Sequence, residues 1–256
     1  MEFPVDLQQL NNFVVYGECC SQYGDLVTVG VNSSYLIFQV LHKSNCGILS
    51  KTFVNLNQKF GNFKKHLFEV RSNLLKKFTK VLKALLTRFS VKSGTLVFKP
   101  EGWLEVYIHT PVISTHISLH MEDHVTERHL DTVSVNEPYA TWTISGMWLR
   151  KICHQLYWNC KWIRLVLNDE RGVVTFKGYS SSGEEKCEYK CFDNSIEDFT
   201  RQQVIVEVSN FLDVLKLVPS SDNVAIRIKT NQPLEVRFNR MICYLAPTVE
   251  NEKNNK

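Results

Sequence analysis

The feature that most limits what this chain can fold into is a long series of short, alternating apolar–polar runs joined by turns of only a few residues. Leu26–Val31 and Tyr35–Leu41 flank Asn32-Ser33-Ser34, a hairpin signal. Cys46–Val54 and His66–Val70 continue the series. Phe89–Lys92, Thr95–Lys99, Trp103–His109 and Thr115–His120 then alternate as half-buried strands do, with Gly94 and Gly102 supplying turns. Parallel neighbours need a crossover of a dozen or more residues, which these turns cannot provide. The expected class is therefore α+β, with antiparallel sheets carrying helices on one face.

Two helical segments interrupt this series. Asp6–Tyr16 places Leu7, Leu10, Phe13 and Val14 on one face; Asp6 can cap it and Gly17 weakens its end. Ser72–Leu86 (SNLLKKFTKVLKALL) carries Lys76, Lys80 and Lys83 at helical spacing, opposite an expected apolar stripe of Phe78, Val81, Leu82 and Leu85. Ser72 or Asn73 is the expected cap.

Met121–Pro138 breaks the pattern. It has six charged residues and no sustained period, and is too long for a loop inside one compact domain, so it reads as a linker. Beyond it the design restarts. A helix over Ser145–Trp158 is expected to bury Trp148, Leu149, Ile152 and Leu156 and to show Arg150, Lys151 and His154. Strand-like runs follow at Trp162–Asn168, Val173–Gly178, Cys187–Cys191 and Gln203–Val208. A helix over Ser209–Leu217 buries Phe211, Leu212 and Leu215 and shows Lys216. Asn223–Thr230, Pro233–Asn239 and Met241–Ala246 complete the set. The organisation expected is an N-terminal half (1–120), a connecting linker (121–138), a similar C-terminal half (139–247) and a polar tail (248–256).

The chain of 256 residues is 44% hydrophobic, enough for a sizeable core, and its net charge of +4 is only mildly basic. Attraction to a polyanion must then come from local clustering, and three of the four helices offer it. No apolar run reaches the roughly 20 residues that span a bilayer, and the N-terminus lacks the pattern of a signal peptide, so a soluble intracellular protein is expected. Cys187 and Cys191 would share a strand face, but no second pair lies nearby to complete a zinc site. His116, His120, His124 and His129, with Glu122 and Asp123, read as solvated chain, and Glu184-Glu185 as exposed charge. No phosphate loop, HExxH or nucleophile elbow is present, so neither catalysis nor a cofactor or metal is expected.

The segment VIVEVSNFLDVLKLVPSSDNVAIRIKTNQPLEVRF, with Tyr244-Leu245-Ala246-Pro247 beyond it, resembles the end of the DNA sliding-clamp family, which includes proliferating cell nuclear antigen (PCNA) and the subunits of the nine-one-one checkpoint clamp. SGMWLRKICHQL and FTKVLKAL resemble helices of that family in the same order. The resemblance implies a non-enzymatic, nuclear protein of DNA replication, repair or damage checkpoints. It implies a ring of three subunits, homo- or heterotrimeric, that encircles duplex DNA without reading sequence. Lys76, Lys77, Lys80, Lys83, Arg150, Lys151, His154 and Lys216 would face the DNA. The first helix has Gln8 and Gln9 where the replicative clamp carries lysines. A pocket for partner peptides would involve Val40, Leu41, Val125, Leu130, Pro233, Tyr244, Ala246 and Pro247. A clamp loader and peptide-bearing repair, checkpoint or polymerase proteins are the implied partners, with no membrane. LFEVRSNLLKKFTKVLKALL, VISTHISLHMED and GYSSSGEEKCEYKCFDNSIEDF look more like checkpoint-clamp subunits than like PCNA, so a checkpoint-type subunit is expected, with a replicative clamp, including a viral one, or a non-clamp α+β interaction protein as the alternatives.

Overall fold

The computed structural model describes residues 2–31, 35–43, 47–54, 66–99, 101–122, 140–168, 173–180, 185–192, 202–219, 221–238 and 241–248. The chain divides into two compact units, Met1–Asn45 with Leu49–Thr132, and Cys46–Ile48 with Val133–Lys256. The first unit runs β1 (Glu2–Asp6), α1 (Leu7–Tyr23), β2 (Leu26–Val31), β3 (Tyr35–Leu41), β4 (Gly47–Val54), β5 (His66–Arg71), α2 (Ser72–Arg88), β6 (Ser93–Phe98), β7 (Trp103–His109) and β8 (Ser114–His120). The second runs β9 (Ala140–Ser145), α3 (Gly146–Tyr157), β10 (Trp162–Asn168), β11 (Val173–Tyr179), β12 (Glu185–Phe192), β13 (Gln202–Glu207), α4 (Val208–Leu217), β14 (Asn223–Ile228), β15 (Leu234–Phe238) and β16 (Met241–Leu245).

These lists are the same sentence written twice: strand, helix, four strands, helix, three strands. The pairing repeats too. In the first unit the strand orders are β1-β6-β7-β8 and β5-β2-β3-β4; in the second they are β9-β14-β15-β16 and β13-β10-β11-β12. The strand registers among the described residues are all antiparallel, as the short turns require.

β1 and β9 were not anticipated. Each precedes the first helix of its unit and pairs with the strand that follows the second helix, Phe3 opposite Leu96 and Trp142 opposite Ile226. β1 buries only Phe3 and Val5, and the ring of Phe3 meets Phe98 edge-on at 5.7 Å. Phe89–Lys92 is not a strand: Phe89 caps α2 through its N–H to the Leu85 carbonyl, and the chain only straightens at Ser93. Gly94 lies inside β6. Gly102 does supply a turn, at φ 81°, a backbone conformation that favours glycine.

The first helix runs to Tyr23, well past Gly17. Its start is a full capping box, Asp6 accepting from the Gln9 N–H and Gln9 accepting from the Asp6 N–H. Gly17 is not an end signal. A Cβ there would sit 2.5 Å from Thr79 Cγ2, so the glycine lets α1 and α2 approach closely. The second helix lacks a side-chain cap: Arg71 occupies the cap position, and the Ser72 hydroxyl donates instead to the Gly24 carbonyl. Phe13 knits the first core, meeting Phe38 at 5.3 Å and Phe78 at 6.3 Å. In the second core Trp142 lies 5.4 Å from Phe176.

Two apolar stripes rotate relative to expectation. In α2 the buried set is Leu75, Phe78, Thr79 and Leu82, a strict i, i+3, i+4, i+7 series, and Val81 is half exposed. In α3 the buried set is Leu149, Ile152, Cys153 and Leu156, leaving Trp148 in solvent. Leu7 is likewise exposed, whereas Phe211, Leu212 and Leu215 of α4 are buried as expected.

Met121 and Glu122 belong to the first unit and not to a free linker. Met121 is buried, and Glu122 exchanges both backbone hydrogen bonds with Glu69, covering the outer side of β5. The second unit does the equivalent: the Thr248 N–H donates to the Ile205 carbonyl on the outer side of β13. Residues 123–138, including His124 and His129, and the tail from 249 onward lie outside the described residues, as does Glu184. Cys19, Cys20, Cys153, Cys160 and Cys243 are buried and form no disulfide with one another. Burial pushes the Cys19 thiol up to about 11 and those of Cys20 and Cys153 higher still, so they pack as small hydrophobes. Among the described residues no group of side chains could hold a metal ion, and no helix is long and apolar enough to cross a membrane.

Candidate nucleic-acid interface

The α2 sequence puts its lysines outward because Leu75, Phe78 and Leu82 claim the inner face. Lys76, Lys77, Lys80 and Lys83 are all exposed. The ammonium groups of Lys76, Lys77 and Lys80 make no hydrogen bond or ion pair among the described residues. Lys83 differs: its Nζ donates to both Glu18 oxygens at 3.0 and 3.2 Å, across from α1 to α2. α1 itself carries no lysine, arginine or histidine, and its one charge, Glu18, neutralises a lysine of its neighbour. Gln9, one of its three glutamines, is spent on the capping box.

On α3, Lys151 and His154 are exposed. Arg150 is not free. It is half-buried, and its guanidinium donates to the Val218 carbonyl at the C-terminal end of α4. A cation there satisfies a helix-end acceptor and suits the helix dipole, so Arg150 ties α3 to α4. Lys216 of α4 is exposed but pairs with Asp213 at 2.5 Å. Of the eight cations expected to meet DNA, Lys76, Lys77, Lys80, Lys151 and His154 remain uncompensated by charge. The residues that sequence reasoning overlooked are Glu18 and Asp213; Asp213, three residues before Lys216 on a helix, was the legible one.

The expected peptide pocket divides differently. Val40 is fully buried in the first core, opposite Val27, and offers no surface; Leu41 beside it is partly exposed. Val125 and Leu130 lie outside the described residues. In the second unit, Leu234 pairs with Leu245, and Pro233 and Ala246 flank that pair at one end of the β15–β16 hairpin. Ala246 is exposed and Pro247, Pro233 and Tyr244 are partly exposed. Tyr244 stands opposite Glu235, a fully buried carboxylate held between Arg227 (3.0 Å) and Arg237. This end of the hairpin is thus anchored by a charge network rather than by apolar packing alone.

The outer face of β7 and β8 is polar and histidine-rich. His116 stacks on Tyr107 at 5.2 Å and His120 meets Trp103 edge-on at 4.8 Å. Glu105 accepts from Lys99 at 2.5 Å and from the Tyr107 hydroxyl at 2.8 Å.

No family model and no curated protein matches this sequence. Solved structures do. A PCNA from Entamoeba histolytica aligns with a TM-score of 0.71 at 16% identity, over 97% of this chain and 98% of that one. A. fulgidus PCNA, solved with the C-terminal region of FEN-1 bound, gives 0.70 at 13% identity over 98% and 99%. Thermococcus kodakaraensis PCNA gives 0.69 at 18% identity over 96% and 99%. The chain has the PCNA fold. The alignments cover nearly the whole chain, so the PCNA-like likeness takes in the duplicated plan and not one half of it.

Proposed function

We propose that this chain is a subunit of a ring-shaped sliding clamp that encircles duplex DNA and tethers repair, checkpoint or replication proteins to it. The whole-length likeness to PCNA structures carries this reading. The unpaired lysines of α2 and the cations of α3 support it, because a clamp must attract phosphates without reading bases. Two strands suit assembly: β8 and β12 each end their strand order, and β8 contains neither proline nor lysine to discourage a neighbour. Strand addition at β8 and β12 would close a trimeric ring. The clamp acts as a platform and not as an enzyme, it works in the nucleus, and it is opened by a loader. The β15–β16 end, with Pro233, Tyr244, Ala246 and Pro247, would receive partner peptides together with Leu41, Val125 and Leu130.

The uneven charge favours a checkpoint-type, heterotrimeric ring. With α1 lacking cations and Glu18, Asp213 and the Val218 carbonyl engaging Lys83, Lys216 and Arg150, three identical copies would present free charge from α2 and α3 alone. Different partner subunits could supply the rest. The test is retention on nicked circular DNA after loading, followed by linearisation. A clamp stays on the circle and slides off the linear form. Equal loss from both forms would refute encirclement. Native mass settles the subtype: a homotrimer formed by the chain alone would favour the replicative alternative.

A further inference from the structure

The chain's most unexpected surface is the outer face of α3. Trp148 is 56% exposed, Tyr157 51% and the following Trp158 82%. Three large aromatic side chains within eleven residues leave far more apolar area in water than a merely solvated helix would. Met147, Lys151, His154 and Trp158 recur at i, i+4, i+7 and i+11, so they form one stripe. Lys151 Nζ lies 4.8 Å from the Trp148 ring centroid, which joins that indole to the stripe through a cation–π contact. Met147, Arg150, Lys151, His154 and Gln155 line an open groove of about 350 Å³. α3 contains no acidic residue.

Flat aromatic faces interleaved with cations, and no carboxylate, match single-stranded nucleic acid: phosphates need the cations, and unstacked bases need π surfaces. Duplex DNA would use only half of this face, because its bases are already stacked inside. A protein partner of ordinary composition would find no acidic residue here to pair with its own lysines and arginines. We infer that α3 stacks unpaired nucleotides on Trp148 and Trp158, with Lys151 and His154 at the intervening phosphates. This extends the clamp reading to the DNA it prefers: gapped, frayed or junction DNA rather than continuous duplex.

The test uses the full chain, its intrinsic tryptophan fluorescence, and oligo(dT) as probe. Oligo(dT) should quench the emission and bind more tightly than a duplex of equal charge. W148A/W158A should abolish the quench and weaken oligo(dT) binding at least tenfold, the order of one or two stacked bases. Duplex binding should change less than about twofold by the same reasoning, since the cations remain. W148F/W158F should keep most of the oligo(dT) affinity, and circular dichroism should match the parent because both indoles are exposed. Three results would overturn the inference: equal binding by an abasic strand of the same length, parental affinity in W148A/W158A, or loss of DNA-free self-association as that variant's only defect. Retention on circular DNA is a separate readout. A parent that is retained but not quenched leaves the clamp and removes the stacking; the reverse leaves the stacking and removes the clamp.

Discussion

Replacing Lys76, Lys77, Lys80 and Lys151 together with alanine separates free charge from decorative charge. Each of these lysines lacks an acidic partner among the described residues, so the variant loses four full cations per subunit. By contrast, removing the pairs Glu18–Lys83 and Asp213–Lys216 as E18A/K83A/D213A/K216A leaves net charge unchanged, although it also deletes two exposed lysines. If every uncompensated lysine meets a phosphate, the slope of log K against log salt falls by about 0.9 for each, or about 3.6 per subunit. Between 50 and 200 mM salt that amounts to roughly 150-fold less salt sensitivity. The paired variant should keep the parental slope within about one unit. Both variants should fold, because exposed ion pairs contribute only about 0–1 kcal/mol and the free lysines are solvated. Fluorescence anisotropy on a duplex across a salt titration measures the slopes. Parallel slopes for the parent and the four-lysine variant would refute a DNA-facing role for α2 and α3. A collapse of slope in the paired variant would refute the view that Glu18 and Asp213 cancel their lysines.

Gly17→Ala gains about 1 kcal/mol of helix propensity but drives a methyl toward Thr79, at a typical overpacking cost of 1–3 kcal/mol; urea midpoints should fall, and Thr79→Ser should restore them. Net stabilisation by Gly17→Ala alone would mean that α1 and α2 do not pack as described. Glu235→Ala leaves Arg227 and Arg237, both partly exposed, without their shared carboxylate and should cost about 1–3 kcal/mol in denaturant titrations; no loss of stability would rule out an important buried pair. Lys99 first, and then Tyr107, hold the Glu105 carboxyl below the usual carboxylate range, so its contribution is present above about pH 4.5 and is lost as pH falls through the folded value. The melting-temperature gap between parent and Glu105→Gln should therefore narrow on acidification, and a gap constant from neutral pH to well below pH 4 would contradict this.

Much of the fold is written locally. Trp103–His109 and Trp162–Asn168 fall where their apolar runs do, because Leu104, Val106 and Ile108 in one and Ile163, Leu165 and Leu167 in the other are buried at every second position. β1 and β9 escaped because EFPVD and ATWTIS are short and lie against the helices that follow; only pairing with segments far along the chain makes them strands. Gly17 misled because glycine weakens a helix locally, whereas the neighbouring helix decides its use here. Val81 and Trp148 misled because hydrophobicity marks a face only when a neighbour covers it. For the interface, lysine spacing on α2 was readable, but the ion pair from Glu18 to Lys83 joins positions far apart in sequence and leaves no local trace. Arg150 looked like a DNA contact for the same reason: its acceptor, the Val218 carbonyl, belongs to another helix.

The pairing of β1 with β6, repeated as β9 with β14, also constrains how the chain is made. Glu2 meets Val97 and Ala140 meets Ile228, so each unit closes by joining segments roughly ninety residues apart. On a ribosome, the first strand must wait unpaired until the strand after the second helix has emerged, and the same delay recurs in the second half. Closure of each unit is then a late event in the making of that unit, although the first can close while the second is still being synthesised. A stalled chain that ends before Ser93 would still cover Phe13 with Phe38 and Phe78, but it would leave β1 without its partner and Leu10 without Gly94 against it, so the last apolar contacts of α1 wait on β6.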